Sequence, residues 1–130
     1  MEMTPKNASA DLVVVGSGLG GMISAVRAHD QGLRVIMIEK SHHYGGTSAL
    51  SGGGVWIPVH SDIKDEDSRE RALAYMKGVT QGKADIRKLE AYVDKGADMI
   101  DYARSIGLDI VKASGYPDYF SERDDALSGR

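Results

Sequence analysis

The first forty residues hold the pattern that most constrains the fold: an apolar run, a glycine-rich turn, a helical stretch and a second apolar run. Residues 12–15 read Leu-Val-Val-Val, and residues 35–38 read Val-Ile-Met-Ile. Continuous aliphatic runs are typical of strands that are buried on both faces of a parallel sheet. Residues 11–40 therefore predict a β-α-β unit with a parallel pair of strands.

Three glycines of the turn stand where a dinucleotide-binding turn requires them. Gly16 permits the tight bend, Gly18 lets a pyrophosphate approach the main chain, and Gly21 lets the helix pack closely on the strand. We expect the helix over residues 19–31, ended by Gly32. Its apolar residues recur at helical spacing and are expected to face the sheet: Met22, Ile23 and Val26.

An acidic residue follows the second strand, which we expect over residues 33–38. Glu39 lies 18 residues after Gly21, close to the spacing of about 20 at which an acid accepts a hydrogen bond from an adenosine ribose. Its charge would repel a ribose 2′-phosphate, which disfavours NADP and leaves FAD or NAD. The glycine pattern alone is a weak signal, with an unliganded turn as the alternative, but the flanking elements favour nucleotide binding.

Residues 41–54 form a second segment that is rich in glycine and hydroxyl side chains. A nicotinamide-binding domain would usually continue with another helix and strand at this point. Main-chain N–H groups and small hydroxyls can instead bind an extended ligand beyond its adenosine end, which favours FAD. The alternative for this segment, taken alone, is a flexible surface loop.

Residues 11–58 resemble the FAD-binding start of the fumarate reductase/succinate dehydrogenase flavoproteins (the FAD-dependent oxidoreductase 2 superfamily), and within it they are most similar to the 3-ketosteroid dehydrogenases. The resemblance rests on the glycine pattern, on the Tyr-Gly-Gly-Thr-Ser-Ala run of residues 44–49, and on the Ser-Gly-Gly-Gly-Val-Trp-Ile-Pro run of residues 51–58. It implies FAD as the cofactor. The residues that it implies for cofactor binding are Gly16, Ser17, Gly18, Gly20, Gly21, Glu39, Lys40, Ser41, Gly45, Gly46, Thr47, Ser48, Ser51, Gly52 and Gly53.

The second segment also bears on how the flavin is held. Relatives that attach FAD covalently carry a histidine where this chain has Gly46, so the resemblance implies non-covalent FAD. His42 and His43 lie a few residues earlier and are expected to be solvated loop residues. We expect no metal site, because Glu39 is assigned to the ribose and no third histidine lies nearby.

Two amphipathic helices are predicted beyond this segment. Asp67 begins a capping-box pattern for a helix over residues 67–81, and Asp85 caps a longer helix over residues 85–105. Their apolar stripes are more typical of core packing than of cofactor contacts. The stripes consist of Leu73, Met76, Val79, Ile86, Leu89, Val93, Ala97, Ile100 and Ala103.

Residues 115–120, here called the aromatic segment, combine a turn composition with three aromatic side chains. In 3-ketosteroid dehydrogenases a tyrosine-rich segment of this form lies at the active site. The resemblance therefore implies that Tyr119 supports the tyrosine that removes the substrate proton, and that Tyr116 and Phe120 line an apolar pocket. The alternative is a surface loop that tucks its rings onto the body of the protein.

The predicted fold class is α/β, a Rossmann-like FAD-binding β-α-β start followed by two helices in an incomplete domain. Residues 1–10 are expected to be a disordered N-terminus, and residues 11–130 the N-terminal part of an FAD-binding domain. Residues 108–111 predict a short strand, and residues 121–130 a polar end without further structure. So few strands cannot bury both faces of a sheet. We therefore expect a fragment that lacks the rest of its domain and a substrate domain, with a module completed by a partner chain as the alternative.

Composition argues against several classes of function. The net charge of −3 carries no long run of one sign, so nucleic acid is not an expected partner. With no cysteine, the chain has neither disulfides nor a thiolate metal site. No apolar run approaches the ~20 residues of a membrane helix, and the first ten residues lack the apolar region of a secretory signal. A cytoplasmic location is expected.

The resemblance implies an FAD-dependent dehydrogenase that introduces a double bond into the A-ring of a 3-ketosteroid, by tyrosine-assisted proton removal and hydride transfer to flavin N5. Two alternatives remain: a fumarate-reductase-like flavoprotein acting on a dicarboxylate, and a non-catalytic, truncated FAD-binding fragment. The aromatic segment favours an apolar, steroid-like substrate. The principal base, the electron acceptor and the oligomeric state are not encoded in recognisable residues.

We predict that the 130-residue chain alone binds FAD weakly or not at all, because two or three strands leave the binding site unfinished. The measurement is the flavin absorbance of the purified chain after incubation with FAD and gel filtration. Stoichiometric flavin in the protein peak would contradict the prediction.

Overall fold

A computed structural model describes residues 8–130, which divide into two compact units, one extending to Gly54 and the other comprising Val55–Arg130. The expected disorder of residues 1–10 falls mostly outside the described residues. The assignment of residues 11–130 to a single incomplete FAD-binding domain stays a prediction.

The first unit is the expected β-α-β arrangement. Strand β1 spans Leu12–Val15, helix α1 spans Leu19–Asp30, and strand β2 spans Val35–Ile38. The strands pair in parallel, with Leu12 opposite Val35 and Val15 opposite Ile38. A short 3₁₀ helix, Gly46–Leu50, lies in the second glycine-rich segment. The α/β fold class is confirmed, with α1 one residue shorter and β2 two residues shorter than predicted.

The two strands are not buried on both faces, contrary to the expectation from their composition. Helix α1 packs against both strands, yet β1 alternates between partly buried and exposed positions, and Val15 is 79% exposed. Val26 of α1, expected to face the sheet, is also exposed, at 40%. The physical reason is that two strands and one helix offer too little surface to enclose a sheet.

The second unit is built on two helices, α2 at Arg69–Val79 and α3 at Ile86–Ser105. Its core is formed where they pack together, and consists of Ala72, Leu73, Leu89 and Val93. Asp85 caps α3 as predicted, because its carboxylate accepts a hydrogen bond from the Arg87 N–H. Ile86 was expected to point inwards but is exposed, since it lies in the first turn, beside the cap.

The start of α2 differs from the prediction. Ser68, not Asp67, is the N-cap, and its hydroxyl accepts from the Arg71 N–H at 3.2 Å. The carboxylate of Asp67 is fully buried and accepts two hydrogen bonds from the Arg130 guanidinium. The Asp67 side chain therefore binds Arg130, 63 residues further along the chain, and does not cap α2 as the local pattern predicted.

Two further predictions for this unit are wrong. Residues 108–111 form no strand, because no neighbouring strand is available to pair with them in the described chain. Residues 121–130 are not a loose polar end. Pro117 and Ser128 form an antiparallel bridge, and Arg130 is buried at the end of the returning segment.

We predict that Val93→Ala lowers the free energy of unfolding by about 2 kcal/mol, because it removes two buried methyl groups and leaves a cavity between α2 and α3. Val93 is 4% exposed, whereas Val111 is 75% exposed. Val111→Ala is therefore the matched control and should change stability by less than about 0.5 kcal/mol. Urea unfolding followed by circular dichroism measures both, and equal losses in the two variants would contradict this description of the core.

Candidate functional site

Ser17 joins the three parts of the predicted site in the first unit. It lies in the turn after β1 and is 1% exposed. Its N–H and its hydroxyl both donate to the Oε2 of Glu39, at 2.9 and 2.5 Å. The hydroxyl oxygen also accepts a hydrogen bond from the Gly45 N–H at 3.0 Å. One buried serine therefore links the first glycine turn, the acid after β2 and the second glycine-rich segment.

Glu39 is held as a carboxylate by these contacts. The hydrogen bond from the Ser17 hydroxyl, aided by the main-chain N–H groups of Ser41 and Ser17, lowers the pKa of Glu39 to about 2. A carboxylate offers about four acceptor positions, so Glu39 retains the capacity to accept from a further donor. Ionised at neutral pH and placed at the end of β2, it is suited to bind a ribose hydroxyl.

The lowered pKa also links this contact to stability. Folding depresses the pKa of Glu39 from 4.5 to about 2. The stabilising contribution of the ionised group is therefore fully present above pH 4.5, and it is lost as the pH falls towards 2.

The two glycine-rich segments meet at the N-terminus of α1. The Ser48 hydroxyl accepts a hydrogen bond from the Leu19 N–H at 3.2 Å, and a Cβ built on Gly46 would lie 3.4 Å from the Cα of Gly18. A Cβ on Gly21 would collide with the Gly16 carbonyl, which accounts for glycine where the helix packs on the turn. The two glycine-rich segments therefore lie in direct contact in the structure.

Gly45 is the residue at which the second segment turns towards Ser17. Its φ is 104°, in the left-handed region that favours glycine, and an added Cβ would lie 2.6 Å from that of Ala49. Both observations require glycine here. This turn also places the Gly45 N–H where it donates a hydrogen bond to the Ser17 hydroxyl.

The other predicted cofactor-binding residues of the second segment lie at the surface of the same unit. Ser51 donates its hydroxyl proton to the Ser48 carbonyl and accepts a hydrogen bond from the Gly53 N–H. Added Cβ atoms on Gly52 and Gly53 would meet nothing within 4 Å, so this part of the segment is open to a ligand. The exposed predicted residues are Gly20, Lys40, Ser41, Gly46, Thr47, Ser48, Ser51, Gly52 and Gly53.

This arrangement fits a dinucleotide. The first N–H groups of a helix have no acceptor inside the helix, and the helix dipole favours negative charge at this end, so the N-terminus of α1 suits a pyrophosphate. Gly18 precedes α1 and brings no side chain between the main chain and a ligand. Glu39 stands at the end of the neighbouring strand, which is the position of the ribose-binding acid in dinucleotide-binding folds.

Tyr119 belongs to the second unit and is not part of this network. Its side chain is 91% exposed, and its ring meets that of Phe120 edge-on at a centroid distance of 5.2 Å. Tyr116 is also exposed, and Phe120 less so. The expectation that a surface loop tucks these rings onto the body is not met for the two tyrosines, whose rings point outwards.

Sequence reasoning gave no role to two buried charged residues of the second unit, Asp118 and Arg130. Their partners lie far away in the sequence, at Trp56 and Asp67. The only local signal was an acid inside an otherwise aromatic turn.

Two other classes of site were searched for in residues 8–130. No group of three or more histidine, aspartate or glutamate side chains is placed to hold a metal ion there. None of the helices in this part of the chain is both long and apolar enough to cross a bilayer.

Known proteins match the chain over most of its length. The FAD binding domain family matches residues 11–125. A 3-oxosteroid 1-dehydrogenase of Comamonas testosteroni is 41% identical over 122 residues, which are 92% of this chain and 21% of that protein. A fumarate reductase (cytochrome) of Shewanella frigidimarina is a more distant relative, 34% identical over 106 residues, which cover 78% of this chain and 18% of that protein.

A solved structure is similar as well. The 3-ketosteroid delta1-dehydrogenase of Sterolibacterium denitrificans, in complex with 1,4-androstadiene-3,17-dione, superposes with a TM-score of 0.85 at 45% identity. The match covers 92% of this chain and 22% of that one. The chain therefore spans about a fifth of the length of the relatives that it matches.

We predict that Ser17→Ala raises the pKa of Glu39 from about 2 towards its ordinary value of 4.5, because it removes the strongest hydrogen bond to the carboxylate. The measurement is a ¹³C NMR titration of the Glu39 carboxyl carbon. Ser41→Ala is the matched control: Ser41 contacts Glu39 through its main-chain N–H, which the substitution keeps. Equal titration curves in the wild type and Ser17→Ala would contradict the network.

Proposed function

Since this chain belongs to the FAD binding domain family, we propose that it is part of an FAD-dependent oxidoreductase that dehydrogenates a 3-ketosteroid. FAD as the cofactor of the family and the similarity to 3-ketosteroid dehydrogenases are established by the family match and by the relatives. The reaction, the substrate and the roles of individual residues are the proposal.

One observation carries the proposal: the similarity to steroid dehydrogenases extends beyond the flavin-binding segments. The match with the Comamonas enzyme covers 92% of the chain, so it includes much of the second unit, where the aromatic segment lies. Exposed Tyr116 and Tyr119 present the type of surface that suits a large apolar ring system.

In this proposal the first unit holds and orients the cofactor. The N-terminus of α1 would receive the pyrophosphate, and Glu39, kept ionised by Ser17, would accept from the adenosine ribose. Bound FAD supplies a two-electron acceptor for the reaction. Because this chain has Gly46 at the place where the resemblance implies a histidine in relatives that attach FAD covalently, we infer that the flavin is held without a covalent bond.

The second unit contributes Tyr119 to the substrate side. A ketone activates the proton on its neighbouring carbon, because the charge of the resulting enolate spreads onto the ketone oxygen. A tyrosine needs a pKa well below about 10 to remove that proton near neutral pH. Tyr119 would supply a hydroxyl that supports the principal base by hydrogen bonding, and Tyr116 and Phe120 would contact the apolar rings of the substrate.

A fumarate-reductase-like activity is the second candidate, favoured by the 34% identity to the Shewanella fumarate reductase. That chemistry needs arginine and histidine side chains that grip carboxylates. The outward-facing rings of the aromatic segment suit an apolar substrate better. A non-catalytic FAD-binding fragment is the third candidate. The cytoplasmic location also stays a prediction.

The experiment is a steady-state and rapid-reaction assay of the complete gene product with a 3-ketosteroid and, separately, with fumarate. We expect flavin reduction by the ketosteroid, release of the flavin into the supernatant on acid precipitation, and a loss of about 100-fold or more in kcat for Tyr119→Phe, the range in which a positioned acid-base group contributes. Activity with fumarate alone would select the second candidate, and a flavin that no substrate changes would select the third.

A further inference from the structure

The aromatic segment is tied to the second unit by the buried side chain of Asp118. Its Oδ1 accepts a hydrogen bond from the Trp56 indole N–H at 2.7 Å, and its Oδ2 accepts from the Leu127 N–H at 2.9 Å. The same Oδ2 accepts from the Arg130 guanidinium, also at 2.7 Å. Three hydrogen-bond partners therefore hold the side chain of Asp118, the residue immediately before Tyr119.

Arg130 joins this carboxylate to a second one. Its guanidinium donates to both oxygens of Asp67, at 2.8 and 2.5 Å, and its side chain is 0% exposed. Burial opposes the positive charge, but Asp67 and Asp118 outweigh it and raise the pKa of Arg130 above its usual value. The guanidinium also lies over the rings of Trp56 and Tyr75, 5.8 and 5.5 Å from their centroids. We call Asp67, Asp118 and Arg130 the charge cluster.

The other side of Tyr119 is tied down as well. The Phe120 N–H donates to the hydroxyl of Tyr75, at 3.1 Å, and Tyr75 is itself buried and stacked on Trp56. Tyr119 therefore stands between two anchored neighbours, Asp118 and Phe120, while its own ring points outwards. Such a fixed main chain beneath an exposed ring is expected of a side chain that is presented to a ligand, and it is uncommon for an ordinary surface loop.

From this arrangement we propose that the charge cluster is a positioning device: Asp118 and Arg130 fix the main chain at Tyr119 and so set the place from which its side chain is presented to the substrate. The inference rests on the role of Tyr119 given under "Proposed function". Neither Asp118 nor Arg130 reaches the exposed ring of Tyr119, so both act through it and are positioning residues.

The chemistry of the charge cluster suits this task. A buried carboxylate paired with the planar fork of arginine has few alternative geometries, because each partner left unpaired would be an uncompensated buried charge. Asp118→Asn keeps the shape of the side chain but removes its charge. Arg130→Lys keeps the charge but removes the fork that reaches both carboxylates.

The first test measures the position of Tyr119 directly, on the 130-residue chain. We expect a main-chain order parameter near ~0.85 for Tyr119 in the wild type and below ~0.6 in Asp118→Asn and Arg130→Lys. The indole N–H resonance of Trp56, the single tryptophan, should shift in Asp118→Asn. Asp124→Asn is the control, because it removes the same charge from an exposed position shortly after the aromatic segment. An unchanged order parameter in both variants of the charge cluster, or a low one in the wild type, overturns the proposal.

The second test is a double-mutant cycle in the complete gene product. We expect Asp118→Asn to lower kcat by about 10- to 100-fold, the loss that a shift of about 1 Å can cause, with little change in KM. In the Tyr119→Phe background the same substitution should cause less than about a twofold further loss. Asp124→Asn should leave kcat unchanged in both backgrounds. An equal loss in the two backgrounds means general structural damage and overturns the proposal.

The tests separate this inference from the proposed function. If Tyr119→Phe alone leaves ketosteroid turnover unchanged, the role of Tyr119 fails, and with it the catalytic purpose of the charge cluster. The order parameters still decide whether Asp118 and Arg130 fix this residue. If Asp118→Asn does not fold, Arg130→Lys decides both tests.

Discussion

The contact between the Ser17 hydroxyl and the Glu39 carboxylate is the interaction on which the first unit depends. It joins two residues that lie just after the two parallel strands and are 22 positions apart in the sequence, and the hydroxyl oxygen of Ser17 also accepts a hydrogen bond from the Gly45 N–H. A hydrogen bond to an ionised acceptor is roughly twice as strong as a neutral one. The hydroxyl of Ser17 is thus engaged within the protein, and its part in a ligand site is to set the positions of Glu39 and Gly45.

The second unit uses charge differently. Glu39 remains partly accessible and its carboxylate can take another donor, whereas Asp67 and Asp118 are closed around one guanidinium. A buried ion pair of this kind adds little net stability over well-packed apolar groups, yet breaking it is costly. Such pairs therefore define one arrangement of the chain more than they stabilise it. In the first unit, the carboxylate of Glu39 can still accept a hydrogen bond from another group. In the second unit, the carboxylates of Asp67 and Asp118 are used to hold the chain in one arrangement.

Local sequence patterns correctly predicted structural features that depend only on residues close together in the sequence. The bounds of β1 and the cap at Asp85 follow from strand composition and from capping chemistry, and both agree with the structure. The sequence analysis assigned both glycine-rich segments to one ligand, but the contact between them through Ser17 and Gly45 follows only from the structure. The role of Asp67 was predicted wrongly: Asp67 and Ser68 are both good caps, and the carboxylate of Asp67 binds Arg130, 63 residues further along the chain. The strand expected at residues 108–111 failed for the related reason that a strand needs a partner, which composition does not reveal.

The open sheet of the first unit has a consequence for how this chain behaves in solution. Each strand of a two-stranded sheet has one edge without a partner strand, and here alternate residues of β1 also leave apolar side chains in water. Unpaired N–H and C=O groups beside an apolar face form a template for another extended chain. The unpaired strand edges that allow the β-α-β unit to join a larger sheet therefore also allow it to associate with other chains. Its colloidal stability then depends on what covers the strands, as much as on the strength of its own core.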